Sequence, residues 1–264
     1  MISYLFLLQF VALPLLAFGD PRIIGSTTTG NIKDEPWYAM IYLGSSRKCG
    51  GAIISNNYIL TAARCLERYG MRDIQVRIGT NNCQSGGSRV KICKLKKHDQ
   101  YSKYRVDTSL VLLKTCTPIT TTDLTKPIEG SHKIPADNSQ ANATGCGSLN
   151  RNFGDVWEGG RTFDHAVYPT YSRSSEVKIY NQKQCAADWH KIIPMLRISE
   201  LTICTKTAGI GACSGDLGTP LVVNKKLVGI LSWAGCSILP DIYSNVIKLS
   251  DWIDSSMKEL DRVG

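Results

Sequence analysis

The sequence runs to 264 residues, 43% of them hydrophobic and 20% charged, with a formal net charge of +9. A chain of that size can bury one large core or two medium ones, and no low-complexity block argues for disorder.

Met1 to Phe18 is almost wholly apolar and carries no charged side chain. It is short for a membrane span, which needs about 20 apolar residues. It runs into Ala17-Phe18-Gly19, with small residues at the first and third places. That pattern predicts a signal peptide over residues 1–19, cut after Gly19, and a short propeptide over 20–22. An N-terminal anchor is the competing reading, and basic flanks for it are missing. Asp20 and Arg22 would leave together, so the mature chain keeps its charge and all ten cysteines. An even cysteine count behind a signal peptide implies a disulfide framework in an oxidising compartment. Zinc is disfavoured, since there is no paired C-x-x-C and no clustered histidine. No metal, cofactor or second membrane-length run is expected, and the protein should be secreted.

Short runs rich in Ile, Val, Leu and Tyr follow: Trp37–Leu43, Gly51–Leu60, Ile74–Ile78, Ser109–Leu113 and Leu221–Trp233. Bounded by Gly, Ser, Asn and Pro, they predict an all-β barrel or sandwich. The densest basic stretch is Arg89 to Lys97, with Lys91, Lys94, Lys96 and Lys97. It reads either as a solvated strand face or as a basic exosite for an acidic partner. Nucleic acid is disfavoured by the secreted context. Residues Thr117–Gln140 are polar and turn-rich, which places a crossing there between an N-terminal half (23–128) and a C-terminal half (129–264). Asn142-Ala-Thr144 is the one glycosylation sequon. It falls on what reads as a strand, and both the modified and the bare asparagine stay open. One helix is predicted, at the C-terminus. Val246, Leu249, Ile253, Met257 and Leu260 recur at steps of three and four, with Ser250 placed to cap it.

Four segments point to chemistry. Cys49 to Cys65 reads CGGAIISNNYILTAARC, Ser109 to Lys114 SLVLLK, Gly215 to Pro220 GDLGTP, and Ser232 to Cys236 SWAGC. They resemble, in order, the T-A-A-H-C turn, the D-I-A-L-L-K strand, the G-D-S-G-G-P nucleophile segment and the S-W-G substrate strand of chymotrypsin/trypsin-like serine peptidases. The resemblance spans Ile23 to Leu260 and implies two six-stranded Greek-key barrels with a cleft between them. Within that family the sequence is similar to the scabies mite inactivated serine protease paralogues, relatives of the mite group 3 trypsin-like allergens.

The departures from the family pattern bear on function. Such enzymes need a hydroxyl nucleophile, an imidazole that takes and returns its proton, and a carboxylate that orients the imidazole. The resemblance puts Leu217, Arg64 and Ser109 at those three positions. Leucine has no lone pair, and a guanidinium stays protonated and accepts nothing. Asp107 is the alternative orienting group, with no imidazole to orient. The histidines are His98, His132, His165 and His190; none falls at a cleft position, and Ser214 has no base assigned to it. An inactive homologue is therefore expected, an active endopeptidase with a relocated nucleophile being the minor alternative. Gly211 stands at the pocket floor, where trypsin-like specificity needs an acid. Asp241 replaces a small glycine and would either meet a cation or fill the slot. Ala234 replaces the glycine after Ser232-Trp233, and Thr219 the second glycine of the nucleophile segment. A narrowed cleft is expected.

Other implications come from the resemblance alone. Arg22-Ile23-Ile24-Gly25 resembles an activation site, with the freed Ile23 amine pairing with Asp216. The family implies disulfides Cys49–Cys65, Cys185–Cys204 and Cys213–Cys236. Cys83, Cys93, Cys116 and Cys146 allow three pairings, of which the resemblance favours Cys93–Cys116 with Cys83–Cys146. It further implies a secreted, gut-associated, monomeric binding protein that interferes with host defence proteases, complement above all. A cofactor role in an endogenous arthropod protease cascade is the alternative.

Overall fold

The computed structural model describes residues 24–262 except 27, 45 and 151–166. The signal peptide, the propeptide, Ile23 and His165 lie outside the described residues.

A two-residue strand, Thr28–Thr29 (β1), opens the chain. Tyr38–Leu43 (β2), Ser46–Ser55 (β3), Tyr58–Ala62 (β4), Ile74–Ile78 (β5), Ser88–Lys97 (β6) and Leu110–Thr115 (β7) then close into an antiparallel barrel, in the order β2-β3-β4-β7-β6-β5. Gln140–Gly145 (β8), Arg173–Tyr180 (β9), Thr202–Thr205 (β10), Pro220–Val223 (β11), Lys226–Trp233 (β12) and Asp241–Asn245 (β13) form the second. Its order is β8-β9-β10-β13-β12-β11, and β11 returns to β8 to close the ring. Two closed six-stranded barrels are the expected architecture.

Alternation explains the strands that were legible. In β5, Ile74, Val76 and Ile78 point into the first barrel while Gln75 points out. The Gly51–Leu60 run is two strands broken by a turn at Asn56-Asn57. The Leu221–Trp233 run likewise splits at Asn224-Lys225, where both residues take positive φ (49° and 59°), as a tight hairpin requires.

Two chain segments cross to the other barrel. β1 pairs with β9, Thr28 opposite Ser174, so the segment that precedes the first barrel is strapped to the C-terminal barrel. The C-terminal helix, Ser250–Arg262, packs instead on the first barrel, its Ile253 and Leu260 joining that core. Ser250 does not cap it. The Ser250 hydroxyl donates to the Ile247 carbonyl, and the Asn245 side chain accepts the N–H groups of Ile247 and Lys248 at 3.1 and 3.3 Å. A second helix was missed, so the C-terminal helix is α2. Gln182–His190 forms α1, capped by the Asn181 side chain. Only Cys185 and Trp189 of α1 are buried, too thin an apolar stripe to signal a helix.

The ten cysteines form five disulfides: Cys49–Cys65, Cys83–Cys146, Cys93–Cys116, Cys185–Cys204 and Cys213–Cys236. Cys83–Cys146 ties the two barrels together across 63 residues of sequence.

Candidate functional site

The turn after Cys213 is held by its backbone. The Asp216 N–H donates to the Cys213 carbonyl (3.0 Å), Thr219 N–H to Asp216 (2.9 Å), and Gly218 N–H to Leu231 on β12 (2.8 Å). Gly218 has φ of 82°, and a Cβ there would lie 2.2 Å from the Thr61 hydroxyl, so only glycine fits. Leu217 sits within this frame, half-buried against the first barrel's core, its carbonyl accepting the Gly50 N–H at 2.8 Å. Gly50 follows Cys49, and the Cys49–Cys65 disulfide anchors the 3-10 turn that carries Arg64.

Ser109 is buried beside that turn, and its hydroxyl accepts the Arg64 backbone N–H at 3.3 Å. The Arg64 side chain lies over Trp233, with the guanidinium carbon 4.1 Å from the ring centroid, and Nη1 donates to the Lys103 carbonyl at 3.1 Å. Burial pulls its pKa below the ordinary value, against the opposing pull of Glu67. Trp233 is held from its other neighbour by Trp189 of α1, edge-on at 6.1 Å. The missed helix thus buttresses the end of β12. Asp107 is fully buried. Its carboxylate accepts from Ser199 (2.7 Å) and pairs with Arg197 (3.2 Å) and Arg105 (3.5 Å), fixing the loop after α1. The described histidines are engaged elsewhere: His98 stacks on Trp252, His190 bonds the Leu196 carbonyl, and His132 is exposed beside Glu129.

The pocket is closed from within. Asp241 at the start of β13 is buried and bridges both walls, accepting the Ala212 N–H at 2.9 Å and the Gly235 N–H at 2.7 Å. The Cys236 N–H donates to the Ala212 carbonyl at 3.0 Å, and the Cys213–Cys236 disulfide crosses the same gap. Asp241 thus spends its carboxylate on backbone donors from both sides of the gap. Burial, with a smaller push from Asp216, lifts its carboxyl to about 7 despite the two N–H donors. Gly211 at the floor has no room to grow, because a Cβ would lie 2.6 Å from the Ser237 nitrogen. Ser232 donates to the Ile242 carbonyl (3.0 Å), and Ala234 is buried in the second core.

Asp216 is buried and accepts the N–H groups of Gly147 (2.6 Å) and Cys213 (3.0 Å). A Cβ at Gly145 or Gly147 would meet its carboxylate at 2.1 Å, and the residue between them, Cys146, is disulfide-bonded to Cys83. Ile24 packs on the Cys213–Cys236 disulfide, and its carbonyl accepts the Gly211 N–H at 3.2 Å. The chain just after Ile23 is therefore docked at the pocket floor.

A protein-family model described as Trypsin matches residues 24–253. The chain belongs to the trypsin family. Hypodermin-B of Hypoderma lineatum is 32% identical over 242 residues, 90% of this chain and 89% of that relative. Trypsin delta of Drosophila melanogaster is 30% identical over 240 residues, 90% and 89% of the two chains. Among solved structures, the scabies mite inactivated protease paralogue S-D1 matches with a TM-score of 0.78 at 23% identity, covering 89% of this chain and 97% of its own. Neuropsin, a serine protease expressed in the limbic system of mouse brain, matches at 0.72 with 24% identity, covering 87% and 97%. These two likenesses establish the fold alone.

The basic run of this trypsin-family chain is largely committed to α2. Lys94 and Lys114 both donate to the Leu260 carbonyl at 3.1 Å, Lys96 pairs with Glu259, and Lys97 donates to the Leu66 carbonyl at 2.9 Å. Cations at a helix C-terminus complement its dipole. Lys91 is the exposed member of the four. The exposed charge of the run therefore reduces to Lys91 and the neighbouring Arg89, because Lys94 and Lys96 hold α2 and Lys97 holds the turn at Leu66.

Proposed function

We propose that this trypsin-family chain is a secreted pseudoprotease that acts by binding proteins, with complement components or other host defence proteases as its targets. The observation that carries the reading is Leu217. The nucleophile turn keeps its backbone hydrogen bonds and presents an aliphatic side chain. At the base position stands a guanidinium stacked on Trp233 and bonded to a carbonyl, which accepts no proton. Loss of a triad costs about a millionfold in turnover, or about 8 kcal/mol of barrier, and oxyanion stabilisation by itself does not recover it. Arg64 covers the Trp233 ring and Asp241 fills the specificity slot, so a substrate side chain finds no open pocket. Five disulfides keep the scaffold rigid for recognition.

The test has two arms. The mature chain is incubated with peptide substrates and with a serine-directed phosphonate, and neither turnover nor labelling is expected. Stoichiometric labelling would overturn the pseudoprotease reading. In a complement lysis assay the protein should reduce lysis; normal lysis with the protein in excess removes complement as the target. A pull-down from host plasma then identifies the partner.

A further inference from the structure

A groove of about 530 Å³, lined by both polar and apolar residues, runs along the outer face of the second barrel beside the N-terminal segment. It shares no lining residue with the closed slot, and its volume falls within the roughly 300–1,000 Å³ of small-molecule sites. Asn31, Trp37, Lys126, Asn142 and Lys225 line it. Asn142 is the acceptor of the sequon. On β8 the neighbours Ala141 and Ala143 point into the barrel, and Asn142 points out and is exposed. Its backbone is fixed from both sides, opposite Glu176 on β9 and Val222 on β11. The amide therefore stands at a set position on the groove wall.

We propose that Asn142 carries an N-linked glycan whose first sugars lie in this groove. The lining has the chemistry a pyranose needs: an aromatic side chain for the apolar face of the ring, and amide and ammonium groups for its hydroxyls. The third residue of the sequon sets the order of events. The Thr144 hydroxyl is buried and donates to the Glu35 carboxylate, which also accepts from Ser174 at 2.7 Å. In the folded chain that hydroxyl is committed, so the sugar is attached before the barrel closes. Chain order provides the interval. β9 begins about 30 residues after Asn142 and β11 ends about 80 after it, which is several seconds of synthesis at about 5–20 residues per second. Until then β8 lacks both partners and the sequon is extended and accessible.

The test uses residues 20–264 secreted from insect cells behind a host signal peptide, with intact mass measured before and after peptide N-glycosidase. One glycan is expected, absent from Asn142→Gln and present in Thr144→Ser, which keeps the hydroxyl and its bond to Glu35. Asn142 is exposed, so the Gln variant should fold, and its melting curve confirms that. For the seating, the enzyme should remove the glycan from native protein at least about tenfold more slowly than from denatured protein, because the linkage must first leave the groove. Opening the groove with Asn31→Ala and Lys225→Ala should erase that difference. A wild-type mass equal to the bare polypeptide overturns the modification. Removal at equal rates from native and denatured protein overturns the seating.

Discussion

In the closed slot of the second barrel Asp241 is buried against two backbone N–H groups, while at the helix dock on the first barrel Asp261 stands at the surface between Lys114 and Tyr58. Both are aspartates with two donors. Burial lifts the Asp241 carboxyl to about 7, and its hydrogen bonds do not offset the lost hydration. The Lys114 ammonium, with the Tyr58 hydroxyl, holds the Asp261 carboxyl below its ordinary value. Desolvation, not donor count, separates them. The slot therefore bears a cost when its carboxylate ionises, whereas the dock gains from the charge.

The largest expected effect breaks the first half of that comparison. With its pKa raised, Asp241 in the folded state still holds a proton that the unfolded chain has released. Stability should fall as pH rises from about 4 to about 7 and level off above, by up to about 4 kcal/mol. Glu35, also raised by burial, adds a contribution of the same sign. Asp241→Asn leaves one wall N–H without an acceptor and so lowers stability at every pH, but it should remove most of the slope. Denaturation midpoints across this window measure both. A wild-type profile that stays flat there would overturn the account of the slot.

Next comes the cost of the closed slot to catalysis. Restoring the triad alone (Arg64→His, Ser109→Asp, Leu217→Ser) frees Trp233 from the guanidinium but leaves Asp241 between the pocket walls. That revertant should turn over peptide substrates barely or not at all. Adding Asp241→Gly should raise kcat/KM by about a hundredfold or more, since misplacing a substrate by about 1 Å already costs that much. Equal activity in the triple and quadruple revertants would show that Asp241 does not obstruct the site.

Much of the barrel framework was legible because strand alternation and four motifs are local signals. β5 was read at its observed limits because its inward Ile and Val alternate with polar residues. What was not legible depends on contacts made across the chain. Helix α1 has only Cys185 and Trp189 facing inward, so it left no periodic trace, although Trp189 braces Trp233. The motifs placed Arg64, Asp107 and Asp241, but not where each side chain turns: onto Trp233, towards Arg197 and Ser199, and across the pocket walls. The basic run read as a surface because composition does not say that α2 returns from the far end of the chain to cover it. The spacing of Lys94 and Lys96, with Lys97 turned to Leu66, offered no signal of a helix dock.

That dock gives the smallest effects, and they decide what the run is for. Lys94 and Lys114 donate to one carbonyl, Leu260, at the negative end of α2. Lys94→Ala or Lys114→Ala should each cost about 0.3–1 kcal/mol, less in high salt because the site is near the surface. The pair should fall short of additive, since they share an acceptor. Lys91 is exposed on the same strand, and Lys91→Ser should leave stability within about 0.5 kcal/mol. A Lys91 variant as unstable as the Lys94 one would sink the clamp. The distinction governs how partner binding is probed. Changing Lys91, Lys94, Lys96 and Lys97 together would loosen α2 and strip surface charge at once, so weaker binding could come from either. Lys91→Ser with Arg89→Ser removes exposed charge and spares the helix. If that pair weakens partner binding in a salt-sensitive way, the run is also an exosite. If only the Lys94 or Lys114 variants weaken it, the partner reads the helix that those lysines hold in place.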